Sequence, residues 1–370
     1  MKQDYAIYVH IPFCKARCGY CAFSSCVDFS LCDKYFDVLC REIGRANAAD
    51  VTIKTMFWGG GTPSAVAVKY LAKLYDALKE KFDLQDLDEF TVELNPESVT
   101  GELLAFLKSI KVNRLSFGLQ SVNDETLKRV GRLHDYATFL SALQLARDYG
   151  FDNVNADLIL GLPENVGDFN NTVDKVVQLS LKHLSLYALE IHEENESFKR
   201  LCESFHYCDD ELADMYDYAK AAFERAGLMR YEVSNFARAG YECKHNLTYW
   251  TENRYFGFGA SASGFVGNVR YGNTFDVFKY VEGDGKCFEY REEISNKEEA
   301  YEYVMLGLRL QKGFSIAQFE KRFKLDFYST FTNFKKLCQA GFVCESGGRV
   351  FVPDDKFYVL NSILTELLPD

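Results

Sequence analysis

Tyr5-Ala6-Ile7-Tyr8-Val9-His10-Ile11-Pro12-Phe13-Cys14-Lys15-Ala16-Arg17-Cys18-Gly19-Tyr20-Cys21 begins as an apolar, β-branched strand pattern and runs into a segment carrying three cysteines. Pro12 cannot donate to a sheet ladder and tends to end a strand, which puts the cysteines on a loop. A metal cluster needs such a loop, because thiolates must converge from a compact, bendable backbone. The spacing Cys-x3-Cys-x2-Cys offers three sulfurs to a cubane and leaves one iron without a protein ligand, whereas closed iron–sulfur sites take four cysteines. An open corner implies that a small molecule binds there. Two plainer readings use the same residues: Cys26 or Cys32 as a fourth sulfur makes a structural zinc knot, and free cysteines also serve as small buried hydrophobes.

Outward from this loop the strand-then-loop unit recurs. Strand patterns fall over 52–58, 89–94, 114–120, 154–160 and 183–189. Helical patterns lie between them; over 68–81, Tyr70, Leu71, Leu74, Tyr75 and Leu78 follow the 3.6-residue period. Strands alternating with helices at this spacing predict βαβ units and a parallel sheet. Counting the first strand the total is six, not eight, so the expectation is α/β, an open partial (β/α)6 TIM-like barrel. Polar residues mark the C-terminal strand ends: the cysteine loop, Gly59-Gly60-Gly61-Thr62-Pro63, Glu93, Gln120 and Asp157. In barrels of parallel strands that rim is where ligands bind.

Composition narrows the function classes. The chain has 370 residues and a net charge of −12, without a basic block, which argues against a nucleic-acid surface. Twelve cysteines without an export signal read as reduced thiols plus a metal site, not a disulfide framework, and place the chain in the cytoplasm. The expected division is a barrel in 1–230, an irregular α+β extension in 231–290, and a smaller C-terminal helical, winged-helix-like domain in 291–370. That last region lacks a dense basic recognition helix and is read as a partner-binding or lid module.

The quoted loop, together with Glu93-Leu94-Asn95-Pro96-Glu97, Gly118-Leu119-Gln120-Ser121 and Asp157-Leu158-Ile159-Leu160-Gly161-Leu162-Pro163, resembles the radical SAM superfamily. The resemblance covers nearly the whole chain and lies in the oxygen-independent coproporphyrinogen oxidase-like branch. It implies a [4Fe–4S] cluster on Cys14, Cys18 and Cys21, with S-adenosylmethionine (SAM) on the open iron. It also implies SAM contacts from Tyr8, Tyr20, Gly60, Gly61, Thr62, Glu93, Gln120, Arg132 and Asp157. In that family the glycine loop and acidic residues hold the amino group and ribose hydroxyls, and Arg132 suits the carboxylate.

Two features separate subgroups. Coproporphyrinogen dehydrogenases carry a fourth cysteine two residues past the third, where this chain has Phe23. His245-Asn246-Leu247-Thr248-Tyr249-Trp250, beside Tyr231-Glu232-Val233-Ser234-Asn235, resembles the His-Asn-x-x-Tyr-Trp signature of the HemW heme chaperones. This implies heme held by His245 as axial ligand, no catalytic residue, and delivery to an apo-hemoprotein acceptor such as a respiratory cytochrome. Peripheral membrane association through that acceptor and a homodimer are further expectations. The alternative is oxidative decarboxylation of coproporphyrinogen III. From the residues alone, neutral imidazole is a standard axial ligand, and the candidates are His10, His134, His183, His192, His206 and His245. Cys243 is a rival thiolate, and Tyr249, Trp250, Tyr255 and Phe256 are candidate porphyrin walls. Two positions depart from the family pattern: Ser263 stands where a histidine is expected, and Glu164-Asn165 where Gln-Thr is usual.

Overall fold

The computed structural model describes residues 2–191, 196–205, 207–251 and 253–368. Strands β1 (Gln3–Ile11), β2 (Val51–Gly60), β3 (Glu89–Leu94), β4 (Arg114–Gln120), β5 (Val154–Leu160) and β6 (His183–Ala188) pair in that order, all parallel. Helices Cys32–Arg45, Val68–Lys81, Gly101–Ser109, Tyr136–Asp148 and Val166–Gln178 carry the chain between them. Each buries one stripe; Val68–Lys81 turns Leu71, Leu74 and Leu78 inward. Several start on a side-chain cap: Thr100 accepts from the Leu103 amide, Asp135 from Thr138 and Asn165 from Asp168.

The alternation pattern undercounts the parallel strands by one. After β8 (Asn235–Ala237) pairs antiparallel with β6 and carries β7 (Met229–Arg230) antiparallel on its outer edge, β9 (Arg254–Phe258) crosses to the far side of β1 and pairs with it in parallel. Strands β10 (Ser263–Val266), β11 (Val269–Asn273) and β12 (Phe288–Glu293) then continue antiparallel, making one open sheet of 12 strands. Much of 231–290 is therefore continuous with the barrel sheet.

The C-terminal region has its own core around Phe319, Phe327, Val343 and Val350, under a small antiparallel sheet of β13 (Phe314–Ser315), β14 (Cys344–Ser346) and β15 (Arg349–Phe351). Within the helical region expected over 291–370, Phe327–Thr330 and Phe334–Gln339 are two short helices. Phe331 leaves helical geometry between them (φ −110°, ψ 74°), and Phe327, Phe331 and Phe334 all reach the core. Ion pairs Arg230–Asp354, Lys220–Asp354 and Arg254–Glu299 tie this region to the barrel. Among the described residues, no helix is long and apolar enough to cross a membrane.

The barrel interior prepares the site. In packed barrels, inward positions carry bulky Val, Ile and Leu. Here the inner wall includes Glu93 on β3, Arg114, Ser116 and Gly118 on β4, Asn155 and Asp157 on β5, and Ser185 on β6. Small and polar side chains leave the interior open.

Candidate functional site

The opening is a cavity of about 580 Å³. At the C-terminal strand ends it is lined by Cys14, Cys18, Cys21, Tyr20, Gly60, Gly61, Thr62, Gln120 and Arg132; Tyr8, Glu93 and Asp157 line it from within the strands. All twelve residues assigned to the cluster and SAM from the sequence thus border one space. His245, Asn246 and Tyr249 line it as well.

The cysteine loop is pinned by main-chain bonds: Cys14 N–H to Cys26 O (3.0 Å), Cys26 N–H to Pro12 O (2.8 Å) and Gly19 N–H to Val130 O (2.9 Å). Gly61 N–H donates to Ile11 O at 3.0 Å, stitching the β2 end to the β1 end. A Cβ on Gly61 would lie 2.5 Å from Pro12 C and O and 3.0 Å from Cys14 Sγ, so only glycine lets these loops approach. Thr62 Oγ1 lies 3.3 Å from Cys14 Sγ and accepts from Asn95 Nδ2 at 2.8 Å. Burial pushes the Cys14 thiol up to about 11 and also raises Cys21. Metal binding must therefore drive out their protons.

Three thiols facing one cavity suit the donor chemistry of an iron–sulfur cluster, in which each protein sulfur takes a separate iron. Among the described residues, no three His, Cys, Asp or Glu side chains are placed to share a single ion. The four-cysteine zinc knot is not formed: Cys26 and Cys32 pack in the barrel core and do not line the cavity. Phe23 is 67% exposed.

Beside the loop, Gly60 N–H donates to Glu93 Oε2 at 3.1 Å. Burial, then the charge of Asp157, raises the Glu93 carboxyl to about 8. Asp157 is raised by burial too, against hydrogen bonds that include Asn155 Nδ2 at 2.8 Å. Two buried carboxyls sharing a cavity favour a cationic, hydroxyl-bearing ligand, so the residues fit SAM. Gln120 closes β4 with φ +71°, at a register shift against β5. Arg132 donates to Gly118 O (2.6 Å) and Asn95 Oδ1 (2.8 Å), with its Nη1 3.5 Å from the Tyr20 hydroxyl and 3.8 Å from Cys18 Sγ. Its buried Nε has no partner. Tyr8 hydroxyl lies 3.1 Å from His10 Nδ1. Asn95, inside the Glu93–Glu97 run, is a site residue that its sequence context alone does not single out.

His245 sits at the other end. It lies in the first turn of the short helix Lys244–Trp250, which closes the barrel beneath the N-terminal strand ends. Its ring is buried, stacked on Phe57 at 5.2 Å, with Nδ1 2.9 Å from Thr55 Oγ1 and Nε2 2.8 Å from the Tyr249 hydroxyl. Burial, then Arg114, lowers its pKa to about 3, so the imidazole is neutral at ordinary pH. Glu89, first residue of β3, accepts from the Cys243 thiol (3.2 Å) and from the amides of Lys244 (2.9 Å) and His245 (3.1 Å). Cys243 is thereby engaged away from the cavity.

Of the proposed aromatic walls, only Tyr249 lines the cavity. Phe256 packs in the core against Tyr5 (5.1 Å) and Phe82 (5.2 Å). His10, His134 and His183 are buried and lie outside the cavity lining, and His192 and His206 fall outside the described residues. Ser263, on β10, meets the Tyr290 hydroxyl at 3.0 Å.

Known proteins resemble this chain in sequence and in fold. Residues 8–176 match the Radical SAM superfamily, and 294–355 match the HemN C-terminal domain. The chain is 36% identical to the heme chaperone HemW of Bacillus subtilis, covering 93% of this chain and 94% of that protein. It is 32% identical to heme chaperone HemW of Lactococcus lactis, over 100% of this chain and 99% of that protein. The structure superposes on coproporphyrinogen III oxidase (HemN) from Escherichia coli with a TM-score of 0.87, at 23% identity, over 99% of this chain and 90% of that one. At that identity the likeness concerns the fold.

Proposed function

The chain belongs to the HemW family within the radical SAM superfamily, and on that premise we propose that it is a heme chaperone with a resident iron–sulfur cluster. The observation that carries this reading is the single cavity with thiols at one end and His245, Asn246 and Tyr249 at the other. Cys14, Cys18 and Cys21 would hold a [4Fe–4S] cluster, which with SAM supplies one-electron chemistry when bound. The chain's own residues bind and orient. Glu93 and Asp157 offer negative charge to an amino group and to hydroxyls. Gly60, Gly61 and Thr62 give a ligand close approach to backbone, and Arg132 braces Tyr20 against the β4 end. Tyr8 and Gln120 close the sides.

Heme is the cargo, passed to an apo-hemoprotein acceptor in the cytoplasm, with His245 as axial ligand. The Thr55 hydroxyl at Nδ1 orients the ring, and by accepting a hydrogen bond from Nδ1–H it would leave the lone pair on Nε2 for iron. Nε2 now meets the Tyr249 hydroxyl, so ligation requires the phenol to swing away. Phe23 stands where dehydrogenases of the branch have a cysteine, and this weakens the coproporphyrinogen III reading.

The test is an anaerobic heme titration of the reconstituted full chain, followed by its Soret band, beside His245→Ala. Saturation near one heme per chain, weakened and spectrally shifted in the variant, supports the proposal. Weak, non-saturating binding indifferent to the substitution overturns it.

A further inference from the structure

Arg114 opens β4 at the closed end of the barrel, is 2% exposed, and lines the cavity. Its buried Nε has no hydrogen-bond partner, and among the described residues the side chain forms no ion pair. The nearby carboxylates are committed elsewhere. Glu89 serves Cys243, Lys244, His245 and the Thr91 hydroxyl (3.2 Å), while Asp157 serves Asn155 and Ser116 (3.3 Å). A guanidinium nitrogen buried without a hydrogen-bond partner is costly, and the planar fork of the group matches a carboxylate in two-point fashion.

We propose that Arg114, flanked by Ser116, Asn155 and Asn246, is a carboxylate-binding subsite in the barrel floor, and that its ligand is a propionate arm of the bound tetrapyrrole. The inference rests on the heme reading above and names how the cargo is held. The other carboxylate available in this cavity is the methionyl group of SAM. Six residues of strand rise separate Arg114 from Gln120 at the cluster end, about 20 Å. Arg132 already stands at that end. His245 and Asn246, by contrast, share the floor with Arg114. A porphyrin carries its carboxylates on flexible arms along one edge, so iron at His245 and a propionate at Arg114 engage one molecule.

The experiment compares iron protoporphyrin IX with its dimethyl ester, in the same detergent, on the anaerobic full-length protein. SAM binding is measured in parallel by calorimetry. The wild type is expected to prefer the free acid by about tenfold or more. Arg114→Gln is expected to abolish the preference, Arg114→Lys to keep part of it, and neither to change SAM affinity. Equal binding of acid and ester by the wild type overturns the subsite without relying on any variant. Weakened SAM binding in Arg114→Gln with the acid preference intact also overturns it, and reassigns the carboxylate to SAM. Absence of any saturable heme binding removes the chaperone reading and the subsite together, whereas saturable binding blind to esterification removes the subsite alone.

Discussion

The hydroxyl of Tyr249 lies 2.8 Å from Nε2 of His245, one helical turn away, and so engages the ring nitrogen that the proposed heme ligation would use. Tyr249→Phe removes that competitor and keeps the ring. Since one neutral hydrogen bond contributes about 0.5–1.5 kcal/mol, heme affinity should rise about two- to tenfold. Soret titration checks this. A fall in affinity would show that the phenol is needed by the bound state instead.

Glu89 holds the floor helix in place. Its carboxylate accepts from Cys243, Lys244 and His245, across 154 to 156 residues of sequence. Glu89→Ala leaves buried donors unpaired and should cost about 2–4 kcal/mol of stability, read by urea or thermal unfolding. Glu89→Gln, which keeps the acceptor oxygen, should cost less. A loss below about 0.5 kcal/mol in the alanine variant would mean that the helix is held by other contacts.

Gly61→Ala tests the junction between the two rim loops. The added methyl meets Pro12 main chain, which cannot swing aside as a side chain can. We expect about 1–3 kcal/mol of destabilisation and reduced iron and sulfide content after anaerobic reconstitution. Normal cluster content in the variant would sink the claim that this close approach shapes the cysteine loop.

The pH dependence of the apo protein should carry the mark of Glu93. Its folded pKa, about 8, stands above the ordinary carboxyl value of 4.5, so the folded state keeps a proton that the unfolded state has released. Stability contributed by that proton is complete below about 4.5 and is lost as pH rises to about 8. Glu93→Gln abolishes this loss and should make the apo protein more stable than wild type at pH 8, by up to about 5 kcal/mol, while weakening SAM binding. Thermal unfolding across the window decides. Parallel wild-type and variant curves would mean that Glu93 ionises normally.

The sequence disclosed the barrel better than its closure. Strands at 89–94, 114–120 and 154–160 have the bounds read from sequence, because strands buried on both faces are dense apolar runs between polar turns. The rim residues were legible for the same reason, each following such a run. β9 was not, since its pairing with β1 joins residues some 250 positions apart and follows no crossover pattern of its own. The floor escaped notice too. Arg114 and Glu89 open their strands, where a charged residue reads as a solvated strand end; only the long-range arrival of 243–250 over those ends buries them. Likewise Phe256 reads as a cofactor wall until β9 turns it into the core.

Because the thiol rim and the histidine floor open into one chamber, any coupling between occupants of its two ends is reciprocal. If a ligand at the rim changes the affinity for a ligand at the floor by some factor, the floor ligand changes the rim affinity by the same factor. Under the chaperone reading, the state of the rim sets how tightly cargo is retained, and loading or unloading cargo feeds back on the rim with equal force.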